Sequence, residues 1–104
     1  MKQYKTHTEY FLDILKDPEE AMGHLEVALE DFEEDGDFGG LLLIIRRIAE
    51  ARALVNKEAG AQDVENDQLL ATLTTEPLPK FEQLPALLHS LGFRLHYSLT
   101  RAAS

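Results

Sequence analysis

Four histidines, His7, His24, His89 and His96, are the residues in this sequence best suited to acid–base or metal chemistry. They are scattered along the chain without the short spacing that lets two imidazoles reach one ion, so they read as surface or packing residues. The acidic run from Glu30 to Asp37 could attract calcium, but it lacks a twelve-residue loop with ligands at alternating positions and a terminal Glu. Glu19, Glu20, Glu33 and Glu34 could be imagined as acid–base pairs, yet nothing in the pattern supplies a nucleophile or an oxyanion donor beside them. Cysteine is absent, which removes disulfides, thiolate catalysis and cysteine-held metals. The expectation is a protein that is not an enzyme and has no cofactor and no metal.

What remains is the chemistry of recognition. Arg46, Arg47, Arg52, Lys57 and Lys80 are the cations available to phosphates. Arg46 and Arg47 can equally form salt bridges to acids at the front of the chain, and the net charge of -9 favours that use. The charge is unevenly spread. Twelve of the nineteen acids fall in residues 1–38 against Lys2, Lys5 and Lys16, whereas residues 39–104 hold seven acids and seven bases. An acidic front half therefore precedes a neutral back half, and affinity for nucleic acid can come only from the back half.

The elements that must position these groups are helical. A length of 104 residues with 44% hydrophobic content suits one domain with one core. Thr8 can cap a short helix carrying Tyr10, Phe11, Ile14 and Leu15. Asp17-Pro18-Glu19-Glu20 starts a second helix, with Met22, Leu25, Val27, Ala28 and Leu29 as its buried stripe. Residues 31–40 concentrate acids and glycines and read as a break that buries only Phe32 and Phe38, with Asp37 as a cap for the next helix. Residues 38–53 form a core helix that is apolar nearly all round at first. A short helix over 53–59, ended by Gly60, comes next, then a polar turn over 61–66. A helix starting at Glu65 or Asn66 runs through Leu73 and stops before Pro77 and Pro79. Lys80 begins the last helix, on which Phe81, Leu84, Leu87, Leu88 and Leu91 keep helical spacing until Gly92.

From Phe93 to Thr100 the period changes to two, the pattern of a strand. Such a strand has nothing to pair with inside a helical domain, so it points to a homodimer or a partner's sheet edge, or else to an extended tail packed on its own core. The expected fold is all-α: a small helical bundle with a short C-terminal strand or extended tail. Residues 1–38 form the acidic N-terminal helices, 39–92 the core and 93–104 the strand and tail. No apolar stretch follows Met1-Lys2-Gln3-Tyr4-Lys5 to make a signal peptide, and no run reaches membrane-spanning length, so a cytoplasmic protein without membrane contact is expected.

The stretches Tyr10-Phe11-Leu12 to Pro18, Leu25 to Asp37, Leu42 to Gly60, Leu69 to Phe81 and Leu84 to Leu95 together resemble the antidote (antitoxin) proteins of bacterial toxin–antitoxin modules, which carry a phage-repressor-like helix-turn-helix. The resemblance covers residues 10–97 by order and spacing of elements. It implies a DNA-binding transcription regulator, a homodimer, and a toxin protein as a further partner, the acidic front half covering a basic toxin surface or simply keeping the protein soluble. The helix ending Glu58-Ala59-Gly60 would be the first of the pair, and the helix around Leu69 to Leu73 the recognition helix. The resemblance places Asn66, Gln68 and Asp67 at base edges, where the Asn and Gln amides can make two hydrogen bonds to adenine, Thr72 or Thr74 nearer the backbone, and Lys57 and Arg52 on phosphates. The sequence departs from the family pattern at one place. Between Gly60 and Leu69 it is about three residues longer than the sharp turn of such motifs. Asp63, Glu65 and Asp67 stand there where the family usually places Ser, Arg or Lys. The alternative reading is therefore a protein-interaction module whose degenerate helix-turn-helix no longer binds DNA.

Overall fold

A computed structural model describes residues 6–96, and among these every regular element is helical. The order is α1 (His7–Leu15), α2 (Pro18–Asp35), α3 (Phe38–Ala59), α4 (Val64–Thr74), a single 3-10 turn (Phe81–Gln83) and α5 (Leu84–Ser90). None of the helices among the described residues is long and apolar enough to cross a membrane.

Most of the helix starts follow from capping residues visible in the sequence. Asp17 accepts from the Glu19 N–H at 2.9 Å, with Pro18 at the first helical position of α2. Asp37 accepts from the Gly40 N–H at 2.9 Å and starts α3. The first helix begins earlier than expected, because Thr6 and not Thr8 takes the cap, its Oγ1 accepting from the Glu9 N–H at 3.1 Å.

Of two expected interruptions, one is shorter than expected and the other is absent. The acids after Glu30 do not end α2, which continues to Asp35 and stops only where Gly36 adopts a φ of 72°. Glu is a good helix former, and half-buried Phe32 holds the last turns against the core. Likewise α3 runs unbroken through residue 53, since neither Gly nor Pro occurs between Gly40 and Gly60 and Ala, Arg and Leu all favour the helix.

The core is built around α3, which packs against α1 and α2 on one side and α4 on another, while α5 leans on α4. Leu41, Ile45, Ile48 and Ala49 are almost completely buried between Leu15, Ala21, Leu25 and Ala28 of the first two helices and Leu69, Leu73, Leu84 and Leu88 of the last two. Each fully buried Leu or Ile contributes about 1.5–3 kcal/mol. The stripe of α2 is narrower than its apolar content suggests. Ala21, Leu25 and Ala28 face inward at helical spacing, while Met22 and Val27 are exposed.

After Gly92 the chain has no regular structure through His96, but its alternation survives: Phe93 and Leu95 are half-buried on the core and Arg94 and His96 are exposed. This is the extended tail packed on its own domain. The remainder of the expected strand, Tyr97 to Thr100, lies outside the described residues, and with it the expected pairing to a second copy.

Lys16, at the end of α1, joins the two ends of the α1–α3 contact. Its Nζ donates to Glu58 Oε1 at 2.9 Å and lies 3.3 Å from Asp13 Oδ1. The hydrogen bond to Glu58, then that to Asp13, holds the Lys16 ammonium above the ordinary lysine pKa. A raised pKa means that this contribution to stability is complete below the ordinary lysine value and is lost as pH rises through the folded value. Urea unfolding of Lys16→Met and wild type on the alkaline limb is expected to show a constant gap below that range that closes within it.

Candidate functional site

The pair of helices assigned to recognition is α3 and α4, joined by residues 60–63. Gly60 ends α3 with a φ of 67°, and the Ala61 N–H reaches back to the Asn56 carbonyl at 2.8 Å, closing the helix end in the way a left-handed glycine allows. Asp63 then caps α4, its Oδ1 accepting from the Asn66 N–H at 3.1 Å. The connection is thus four residues long and not the long polar turn expected over 61–66. The additional residues become the first turn of α4, because Asp63 is a good cap and Glu65 and Asp67 suit the positive end of a helix.

The change of register decides where the expected site residues point. Asn66, assigned to a base edge, is 1% exposed. Its Nδ2 donates to the Ala49 carbonyl of α3 at 3.0 Å, and its Oδ1 is buried without a partner among the described residues. It pins α4 to α3 and cannot read a groove. Arg52, assigned to phosphate, is half-buried and donates to the Leu91 carbonyl at 2.9 Å, holding the end of α5 against α3. Asp67, Gln68 and Thr72 are exposed, and the Thr72 hydroxyl donates back to the Gln68 carbonyl at 3.0 Å. Lys57 is exposed in the last turn of α3.

Arg46 and Arg47 do not reach the acidic front half. Both turn to Glu50 of their own helix, at 3.9 Å and 2.8 Å. Spacings of three and four residues make that pairing local and easily reached. Along the exposed side of α4 a groove of about 320 Å³ runs between α4 and α5, lined among others by Glu65, Gln68, Thr72, Gln83 and Ser90. Glu65 is its one charged lining residue. Asp63, Glu65 and Asp67 stabilise the start of α4, and the same carboxylates cancel the positive potential that a helix N-terminus offers to phosphate.

The histidine expected to pack does so in one case: His24 meets Phe11 edge-on, ring centres 5.1 Å apart. Sequence reasoning missed a second surface. By its spacing Phe81 belongs in the buried stripe of the last helix, but it is 51% exposed and stacks on Phe32. It falls in the 3-10 turn, where three residues per turn carry its side chain off the face shared by Leu84, Leu87, Leu88 and Leu91. The sequence signal for this is Lys80-Phe81-Glu82-Gln83 ahead of Leu84-Pro85, a proline position that favours a helix start at Leu84.

Comparison with protein-family models, curated proteins and solved structures finds no match.

If Asn66 serves packing, its loss must cost stability. Asn66→Ala is expected to lower the unfolding free energy in urea by about 1–3 kcal/mol, through the lost hydrogen bond and the space left behind. A surface residue reading bases would leave it within about 0.5 kcal/mol of wild type.

Proposed function

We propose that this chain is a protein-binding module, similar in arrangement to antitoxin proteins, whose helix-turn-helix-like pair α3–α4 is not used on DNA. The observation that carries this reading is the composition of the exposed side of α4. Glu65 and Asp67 face solvent there, and Asn66, the residue best suited to reading a base, is withdrawn into the core. A carboxylate held near phosphate is repelled, and no cation on α4 offsets it. Of the cations of the back half, Arg52 donates to the Leu91 carbonyl and Arg47 to Glu50, while Arg46 lies 3.9 Å from the same carboxylate.

The function that remains is recognition of another protein. An acidic chain favours a basic partner through long-range attraction, which raises the rate of encounter and restricts the choice of partner. In the antitoxin-like reading that partner is a basic toxin protein. The competing reading, a transcription regulator acting directly on DNA, retains Gln68, Thr72 and Lys57 as exposed groups.

The test is a salt-dependent titration of the purified chain against the fragment upstream of its own gene, with an unrelated fragment as control. The expected result is no preference between the two, even at low salt. A preference of about a thousandfold that weakens steeply with salt would overturn the proposal in favour of a direct DNA regulator.

A further inference from the structure

The end of the molecule where α2 turns into α3 carries two features that belong together. The first is apolar. Phe32, Phe38 and Phe81 form one aromatic cluster, with ring centres 5.7 Å, 5.5 Å and 6.1 Å apart. Beside it Leu43 and Leu78, each 45% exposed, line a cleft of about 180 Å³ that begins at Gly39, the residue after Phe38. Exposed large side chains grouped in this way mark contact surfaces, whereas singly scattered ones do not.

The second feature is charge. From Lys16 to Arg46 the chain has no Lys or Arg between them, and ten acids. Six of these, Glu30, Asp31, Glu33, Glu34, Asp35 and Asp37, fall in the last turns of α2 and the bend after it, next in sequence to Phe32 and Phe38. Among the described residues the ion pairs join Lys16 to Asp13 and Glu58, and Arg46 and Arg47 to Glu50, so none reaches these six. Five of them lie on α2 near its C-terminus, the end where a helix disfavours negative charge, and at spacings where like charges repel. Asp31, Asp35 and Asp37 also line one narrow cleft of about 170 Å³ on the other side of the corner. The cations in this region are Arg46, which lines the same cleft as Leu43 and Leu78 and whose Nε lies 3.9 Å from Glu50, and Lys80.

Resting on the protein-binding reading above, we infer that this corner docks a basic protein segment with apolar anchors, in the manner of a lysine- or arginine-rich amphipathic helix. Its apolar side chains cover Phe81, Leu78 and Leu43, and its cations meet the carboxylates of the α2 end. Charge excludes the other occupants. A second copy would bring acids against acids, and nucleic acid or an anionic membrane would be repelled.

The test uses the full chain and a synthetic helical peptide of leucine and lysine, its leucines spaced three and four residues apart. Wild type is expected to bind, more weakly as salt rises. Phe81→Gln combined with Leu78→Gln, both at half-exposed positions, is expected to weaken binding by about tenfold or more, with a thermal melt that stays cooperative although lowered by the lost stacking on Phe32. Glu33→Gln with Glu34→Gln is expected to weaken it and flatten its salt dependence. Glu19→Gln with Glu20→Gln, which removes the same charge at the far end of α2, is expected to leave it unaltered. Failure of wild type to bind, insensitivity to the corner variants, or an equal loss from the Glu19 and Glu20 variant each overturns the assignment. A basic protein that binds the chain and whose affinity survives the corner variants overturns the corner alone, whereas specific promoter binding overturns the protein-binding reading beneath it.

Discussion

Helix α3 has to be covered on more than one side, and the rest of the fold depends on that requirement. Its first half is apolar nearly all round: Leu41, Ile45 and Ile48 share one stripe while buried Leu42 and Ala49 lie on the next side of the helix, so a single partner helix would leave one of these sets in water. The first two helices cover one side and α4 covers another, with α5 behind it. Apolar burial alone does not fix how α4 lies on this surface, since Leu69 and Leu73 could slide along it. The Asn66 amide hydrogen bond to the Ala49 carbonyl fixes that register, at the expense of an oxygen buried without a partner. A directional bond in a non-directional core specifies a position more than it adds stability.

That same bond shapes the functional surface. With Asn66 turned inward, residues on the opposite side of the first turn of α4 are turned outward, and these include Glu65 and Asp67. Their carboxylates suit the helix start, so local stability and affinity for phosphate are opposed at this place. At the other end of the molecule the balance is reversed. The carboxylates near the end of α2 work against their helix, and exposed aromatic rings lie next to them. One acidic group of residues stabilises its helix start, and the other opposes its helix end.

Much of the fold is legible from single residues. Asp17 with Pro18, Asp37 and Gly60 mark their helix ends because each acts through its own backbone geometry, within a turn of its position. The break expected at 31–40 shrinks to Gly36 and Asp37, and the one near residue 53 is absent, because polarity alone does not make a backbone irregular. The candidate site is harder to read. Whether Asn66 faces a groove or the core depends on where α4 begins, and a start at Val64 turns its side chain inward. Phe81 is misplaced for a related reason, since a 3-10 turn and an α-helix share a hydrophobic pattern over three residues but not a direction. The resemblance to antitoxin proteins rests on the order of elements, and order carries no information about which side of a helix is charged.

Amide chemical-shift mapping of the full chain, titrated in parallel with promoter DNA and with the leucine–lysine peptide, tests most directly whether this molecule meets protein and not DNA. The peptide is predicted to shift resonances in residues 30–43 and 76–83, and DNA to leave residues 61–75 unchanged. Shifts along residues 61–75 that saturate with promoter DNA and not with an unrelated fragment would contradict that claim.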